Sequence, residues 1–216
     1  MVGAVVPGVE GLWAHLAEPA AFFDVAIPPA DALADALVSY VASCDAILTA
    51  VTVTVVAGES RYAITGAAVR PVHSDAVRIE RCELDVPLTL PEDPYWRRMA
   101  ARTTSRADRD RLRAWLDGRG YADAVTAAGD CTPFLGALVW ERDGEVVGVD
   151  NPEPTSVLDQ MQRCGAIDPV RRVQHGPAAV DAVWWLSSDF QLHPVSTIGD
   201  TVQPISGAAP AFARLS

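Results

Sequence analysis

Three prolines fall within one eight-residue stretch near the middle of the chain, Pro87, Pro91 and Pro94. Each fixes its own φ and removes an N–H donor, so neither a strand ladder nor a helix runs through them. The chain is therefore expected to fold as two lobes, an N-terminal α+β lobe over residues 1–94 and a C-terminal lobe over residues 95–216. A length of 216 residues suffices for that, since chains of this size bury roughly 70% of their unfolded surface.

Helical and strand periods alternate on both sides of the break. Behind Pro28-Pro29, the apolar residues Leu33, Ala34, Leu37, Val38 and Val41 recur at helical spacing, which predicts a helix from Ala30 to about Ser43. Ile47 to Val56 is rich in Val, Ile and Thr, and Tyr62 to Val69 follows across Ala57-Gly58-Glu59-Ser60, so the two read as an antiparallel hairpin. Further strands are predicted near Ala76–Cys82 and Leu84–Leu90. Beyond the prolines, Ser105 to Asp108 resembles a capping box, Leu112, Trp115 and Leu116 supply a buried stripe, and Gly118 and Gly120 end the helix. Strands follow at Tyr121–Thr126, Phe134–Glu141 and Glu145–Val149, the last two joined across Asp143-Gly144. A second helix opens at Pro154-Thr155, buries Val157, Leu158 and Met161 and stops at Gly165; Val170–Val173, Ala182–Leu186 and His193–Ile198 then read as strands. Trp184-Trp185 would point one indole to each face of its strand, one into the core and one to a pocket or a subunit interface.

Composition removes several classes of function. No apolar run approaches the ~20 residues needed to cross a bilayer, and Met1 to Val6 lacks the basic flank of a secretory signal, so a cytoplasmic protein is expected. A net charge of −11 repels phosphate backbones and anionic membranes, which disfavours nucleic acid unless the arginines cluster on one face. Cys44, Cys82, Cys131 and Cys164 are dispersed without a CxxC pair, and His15, His73, His175 and His193 show no HxH or HExxH spacing. Reduced thiols and no metal are expected. No nucleophile elbow, phosphate-binding glycine loop or dinucleotide fingerprint is present. All 17 basic residues are arginine, so the sequence contains no lysine.

The order of elements from Arg102 to Gly199, with several local phrases, resembles the fold-type IV pyridoxal-phosphate enzymes, the class IV aminotransferases and aminodeoxychorismate lyases. Arg102-Thr103-Thr104-Ser105-Arg106, followed by Gly120-Tyr121-Ala122-Asp123-Ala124-Val125, is similar to the family's lysine segment, its helix and the entry to the next strand. Thr132 to Glu145 is similar to the family's Glu-Gly-Thr-Thr-Ser-Asn-Leu-Phe phrase and the hairpin after it. Pro154-Thr155-Ser156-Val157, and later Leu186-Ser187-Ser188 with His193-Pro194-Val195, sit where the family has its phosphate-binding helix start and its final phosphate-contacting strand. The resemblance implies a two-lobe α+β fold with antiparallel-rich sheets and packed helices, and a homodimer.

The departures carry the functional reading. The lysine position falls on Arg102, and a guanidinium that stays protonated cannot be the amine of a Schiff base. The glutamate that would hold the pyridine nitrogen falls on Thr132, a neutral group. A vestigial anion site at Thr155, Ser156, Ser187 and Ser188 is what could survive, although each hydroxyl also reads as an ordinary cap or turn residue. Arg102 is a pocket cation or an exposed arginine ahead of a helix; with Asp123 and His193 it completes the set of candidate acid, base or clamp residues. The expectation is a lysine-less protein with no cofactor that binds a small anionic ligand or a protein partner in the former cofactor cleft. The alternative is a cofactor-independent lyase or isomerase using the same cleft. A closed polar pocket would favour the enzyme, an open apolar cleft the interaction protein.

Overall fold

The structure, a computed structural model, describes residues 8–44, 49–56, 58–59, 61–68, 73–82, 107–126, 131–150, 156–163 and 167–206. Two compact units emerge, Met1–Arg70 with Arg163–Gly165, and Pro71–Gln162 with Ala166–Ser216. The division falls ahead of the proline cluster, which lies outside the described residues together with the strand expected at Leu84–Leu90.

In the first unit, α1 (Val9–Phe22) precedes α2 (Ala30–Ala42) and the hairpin β1 (Thr49–Val56) and β2 (Arg61–Ala68). Sequence reading does not anticipate α1. It has Pro19 inside it and starts from a left-handed Gly8 with no side-chain cap, so the usual start and interior signals are missing. One carbonyl ties the unit together: Pro28 O accepts the Trp13 indole N–H at 2.8 Å and the Tyr62 hydroxyl at 2.6 Å. α2 follows its predicted bounds, with Leu33 and Leu37 buried and Val38 exposed. The hairpin is antiparallel with Val56 opposite Arg61, and Gly58 takes the positive φ of 78° that its turn requires.

The second unit is built on an eight-stranded mixed sheet. Its strands are β3 (Val77–Cys82), β4 (Asp123–Thr126), β5 (Ala137–Arg142), β6 (Glu145–Asp150), β7 (Arg171–Arg172), β8 (Val183–Leu186), β9 (Leu192–Ile198) and β10 (Thr201–Val202). The order is β4-β3-β9-β8-β5-β6-β7, with β10 also on β9. β3 runs parallel to β4 and β9, so residues 77–82, expected in the first lobe, form a strand of this sheet between β4 and β9. The β5–β6 hairpin turns at Asp143-Gly144 as predicted, with φ of 56° and 77°.

Alternation along β5 shows how the core is laid out. Leu138 and Trp140 enter one apolar cluster with Val147, Val183, Trp185 and Val195. Ala137 and Val139 enter the opposite one, with Trp184, Leu186, Leu192 and helix α4 (Val157–Arg163). Both faces are thus covered, and Trp184 and Trp185 are both buried; neither indole is left for an outer interface. Helix α3 (Ala107–Asp117) sets Leu116 beside Cys82, Ala124 and Leu135, while Trp115, expected in its buried stripe, is 43% exposed and lies under the Arg119 guanidinium. Cys44, Cys82 and Cys131 are free thiols. No helix among the described residues is long and apolar enough to cross a membrane.

Candidate functional site

A tight turn joins β8 to β9 and creates the site. Ser187 N–H donates to Gln191 O at 2.9 Å, and Gln191 N–H donates to Ser187 Oγ at 3.1 Å. Phe190 takes a φ of 65° to complete the turn. The register then places His193 directly across from Trp185, their rings 5.7 Å apart. His73 is fixed beside β9 because its N–H donates to Leu192 O at 2.9 Å, and its ring stacks on His193 with centroids 4.2 Å apart and an interplanar angle of 12°.

Side-chain bonds extend this pair outward. His73 Nε2 lies 2.5 Å from Gln191 Oε1, and Gln191 Nε2 donates to Asp189 Oδ2 at 3.0 Å. From α3, Arg113 reaches over and donates to Ser188 Oγ at 2.9 Å. Among the described residues, Arg113, Asp117, Ala122, Trp185, Ser187, Asp189, Gln191 and His193 line an open cleft of about 260 Å³. Burial pushes the His193 imidazole below its ordinary value and the stacked His73 adds to this, against the raising effects of the Asp75 backbone and of Asp189 and Asp75. Nδ1 of His193 is buried and has no hydrogen-bond partner among the described residues.

Asp123 lies behind the cleft, not on it. It is fully buried, and its carboxylate accepts backbone N–H bonds from Ala124 (2.7 Å), Phe134 (3.2 Å), Leu135 (2.9 Å) and Gly136 (2.8 Å), and the Trp185 indole N–H at 3.0 Å. Burial pushes this carboxyl up; the Trp185 and backbone donors oppose the shift. Gly136 must be glycine here, because a Cβ would sit 2.3 Å from Leu186 O and 2.6 Å from the Trp185 indole nitrogen. With every donor aimed at one side chain, Asp123 ties the 134–136 turn to β8. Its carboxylate is buried among these donors and does not line the cleft.

The candidate hydroxyls separate into two places. Ser187 lines the cleft and Ser188 holds its arginine, whereas Ser156 caps α4. Ser156 Oγ donates to Asp150 and accepts from Asp159 N–H at 3.1 Å and from Arg172 at 3.2 Å. Arg172 pairs with Asp150 at 3.1 Å and with Asp159 at 2.7 Å. Thr155 and Arg102 lie outside the described residues. Thr132 N–H donates to Thr126 Oγ1 at 3.3 Å. No group of three His, Cys, Asp or Glu side chains converges as a metal site among the described residues. Sequence reading missed Arg113 and Gln191 as lining residues of the cleft, and His73 as the ring stacked on His193. His73 meets Gln191 from 118 positions away, a distance that no local pattern spans.

No family model matches the sequence, and no curated protein does. Solved structures do resemble it in three dimensions. A hypothetical aminotransferase from Mycobacterium tuberculosis, bound to alpha-ketoglutarate and PMP, superposes with a TM-score of 0.62 at 16% identity over 93% of this chain and 79% of its own. A putative 4-amino-4-deoxychorismate lyase from Legionella pneumophila gives 0.59 at 9% identity, over 93% and 81%. The branched-chain amino acid aminotransferase from Escherichia coli gives 0.59 at 10%, over 95% and 74%. The chain has the mixed helix and sheet fold of class IV aminotransferase-like proteins.

Proposed function

We propose that this chain keeps the class IV aminotransferase-like fold without Schiff-base chemistry, and that it binds a small anionic ligand in the cleft between α3 and the β8–β9 turn. The observation that carries the reading is the Arg113 guanidinium, held at the cleft by Ser188 Oγ at 2.9 Å beside Ser187 and His193. A guanidinium presents forked donors that suit carboxylate, sulfate and phosphate oxygens.

Pyridoxal phosphate, the cofactor that the resemblance implies, does not suit the residues present. There is no lysine amine to bond it covalently. Thr132, at the position that the resemblance gives to the pyridine-binding carboxylate, offers a neutral hydroxyl. At the helix start that would hold the phosphate, Ser156 is already bonded to Asp150, and Asp159 stands at the same cap. A phosphate dianion placed there would face two carboxylates, with the nearby Arg172 already paired to both. The reading therefore routes no step through that cofactor.

The cleft's polar lining favours a small ligand over an apolar protein surface. A cofactor-independent lyase or isomerase has one observation behind it, the His193 imidazole at the cleft wall. Asp123 adds nothing to that, since its carboxylate is spent on the scaffold.

Two measurements test the proposal. Pyridoxal phosphate followed by borohydride reduction and peptide mapping should leave every side chain unmodified; a reduced adduct on any side chain overturns the reading, and Arg102→Lys serves as the gain-of-adduct comparison. Sulfate titration followed by amide chemical shifts should perturb Ser187 and Ser188, and Arg113→Gln should weaken binding by about tenfold or more.

A further inference from the structure

The cleft carries an electrostatic problem that the anion reading must solve. Among the described residues its lining holds one arginine, Arg113, against two aspartates, Asp117 and Asp189, so with His193 neutral these carry a negative charge in excess. An anion entering such a site meets net repulsion unless a further positive charge appears. Among the described residues no other arginine lines the cleft. His193 does line it, and its Nδ1, which has no hydrogen-bond partner among the described residues, can take a proton without displacing one.

His73 is arranged to control that event. Gln191 Nε2 is committed to Asp189, so its Oε1 faces His73 and the proton between them resides on His73 Nε2. His73 is therefore oriented, and its ring lies 4.2 Å from His193 and nearly parallel to it. Charge on one ring of such a stack opposes charge on the other, and beside the effect of burial His73 lowers the hold of His193 on its proton.

We infer that anion binding in this cleft is coupled to protonation of His193, with the stacked His73 setting the pH at which the coupling operates. The step is an acid–base equilibrium: a proton from solvent adds to the imidazole as the anion enters, and leaves with it. The inference rests on the anion-binding reading above. By linkage, whatever draws the anion in raises the imidazole's hold on its proton, and the reverse. The charged groups facing the pair are Asp75 ahead of β3, Asp189 in the β8–β9 turn, and Arg113 and Asp117 on α3. Asp123 stands behind Trp185.

Sulfate is the probe, because it stays dianionic throughout the window, and its affinity is measured by calorimetry between about pH 5.5 and 8, which brackets an ordinary imidazole. Wild-type affinity should fall by up to about tenfold per pH unit over the upper part of that range, the slope for one linked proton. His193→Gln should flatten the slope. His73→Gln, by removing the competing ring, should keep the slope and move it to higher pH, an effect that a merely structural role of His73 would not produce. Sulfate that binds with pH-independent affinity, or with the same slope in His193→Gln, overturns the coupling and leaves the cleft an anion site. Sulfate that fails to bind at any pH overturns the anion reading and the coupling with it. If His193→Gln does not fold, wild type and His73→Gln decide by slope and midpoint alone.

Discussion

At the scale of single residues, the decisive contrast is between Asp123 and His193, two titratable groups on either side of Trp185. Among the described residues Asp123 has five N–H donors and no cation, so truncating it strands all of them in the core. Asp123→Ala should cost about 4 kcal/mol or more of stability in urea unfolding, since each buried unsatisfied donor costs roughly 1–3 kcal/mol. His193 works in the opposite direction, through its proton. Burial lowers its folded-state value below the unfolded one, so the unfolded chain binds more protons and stability grows with pH across that interval. The stabilising contribution is complete above the unfolded imidazole value and is lost as pH falls through the folded one. Wild type should therefore lose stability on acidification below about pH 6.5, and His193→Gln should lose less over the same interval. In sequence Asp123 was one of three candidate acid, base or clamp residues, with Arg102 and His193. Its true partners, the amides of residues 134–136, are invisible to any pattern of side-chain types.

At the scale of elements, local chemistry was a good guide where it was strong. Asp143-Gly144 marked its hairpin, and Val157, Leu158 and Met161 marked the buried face of α4. It was a poor guide where tertiary context decides. α1 forms around Pro19, and Trp115 lies on the surface beneath Arg119 although its spacing with Leu116 reads as core. The start of α4 shows the same limit, because Ser156 reads equally as a cap or as an anion ligand until Asp150, Asp159 and Arg172 are placed around it. The Asp150 side chain is only 6% exposed, and burial pushes its carboxyl up against the effects of Ser156 and Arg172. Arg172→Gln should destabilise by about 2 kcal/mol near neutral pH, between the values for exposed and buried pairs. Because the Asp150 carboxyl lies above its unfolded value, its protonation favours the folded state, and the deficit should shrink as the pH is lowered.

At the scale of the whole molecule, apolar burial is uneven. The described part of the first unit buries few large side chains, chiefly Leu33 and Leu37, and its sheet has two strands. The second unit closes apolar clusters on both faces of an eight-stranded sheet. Local opening follows buried apolar contact, so amides of α1, α2, β1 and β2 should exchange with deuterium at opening free energies roughly 2 kcal/mol below those of β5, β8 and β9. Equal protection in the two units would contradict this. The mixed helix-and-sheet class was legible in the sequence. The division near Arg70 was not, because the parallel pairing of β3 with β4 and β9 joins segments far apart in the chain and leaves no local mark.

The carboxylate behind the cleft also bears on how the chain reaches this state. Asp123 collects N–H groups from one residue on, from 11 to 13 residues on, and from Trp185, 62 positions away. The near partners can gather as soon as the 134–136 turn forms, but the indole arrives only once β8 has docked, a long loop closure. The fifth bond is thus expected to form late. A bond absent from the transition state leaves the folding rate almost untouched and slows escape from the folded state, so Trp185→Phe should raise the unfolding rate far more than it lowers the refolding rate in stopped-flow measurements.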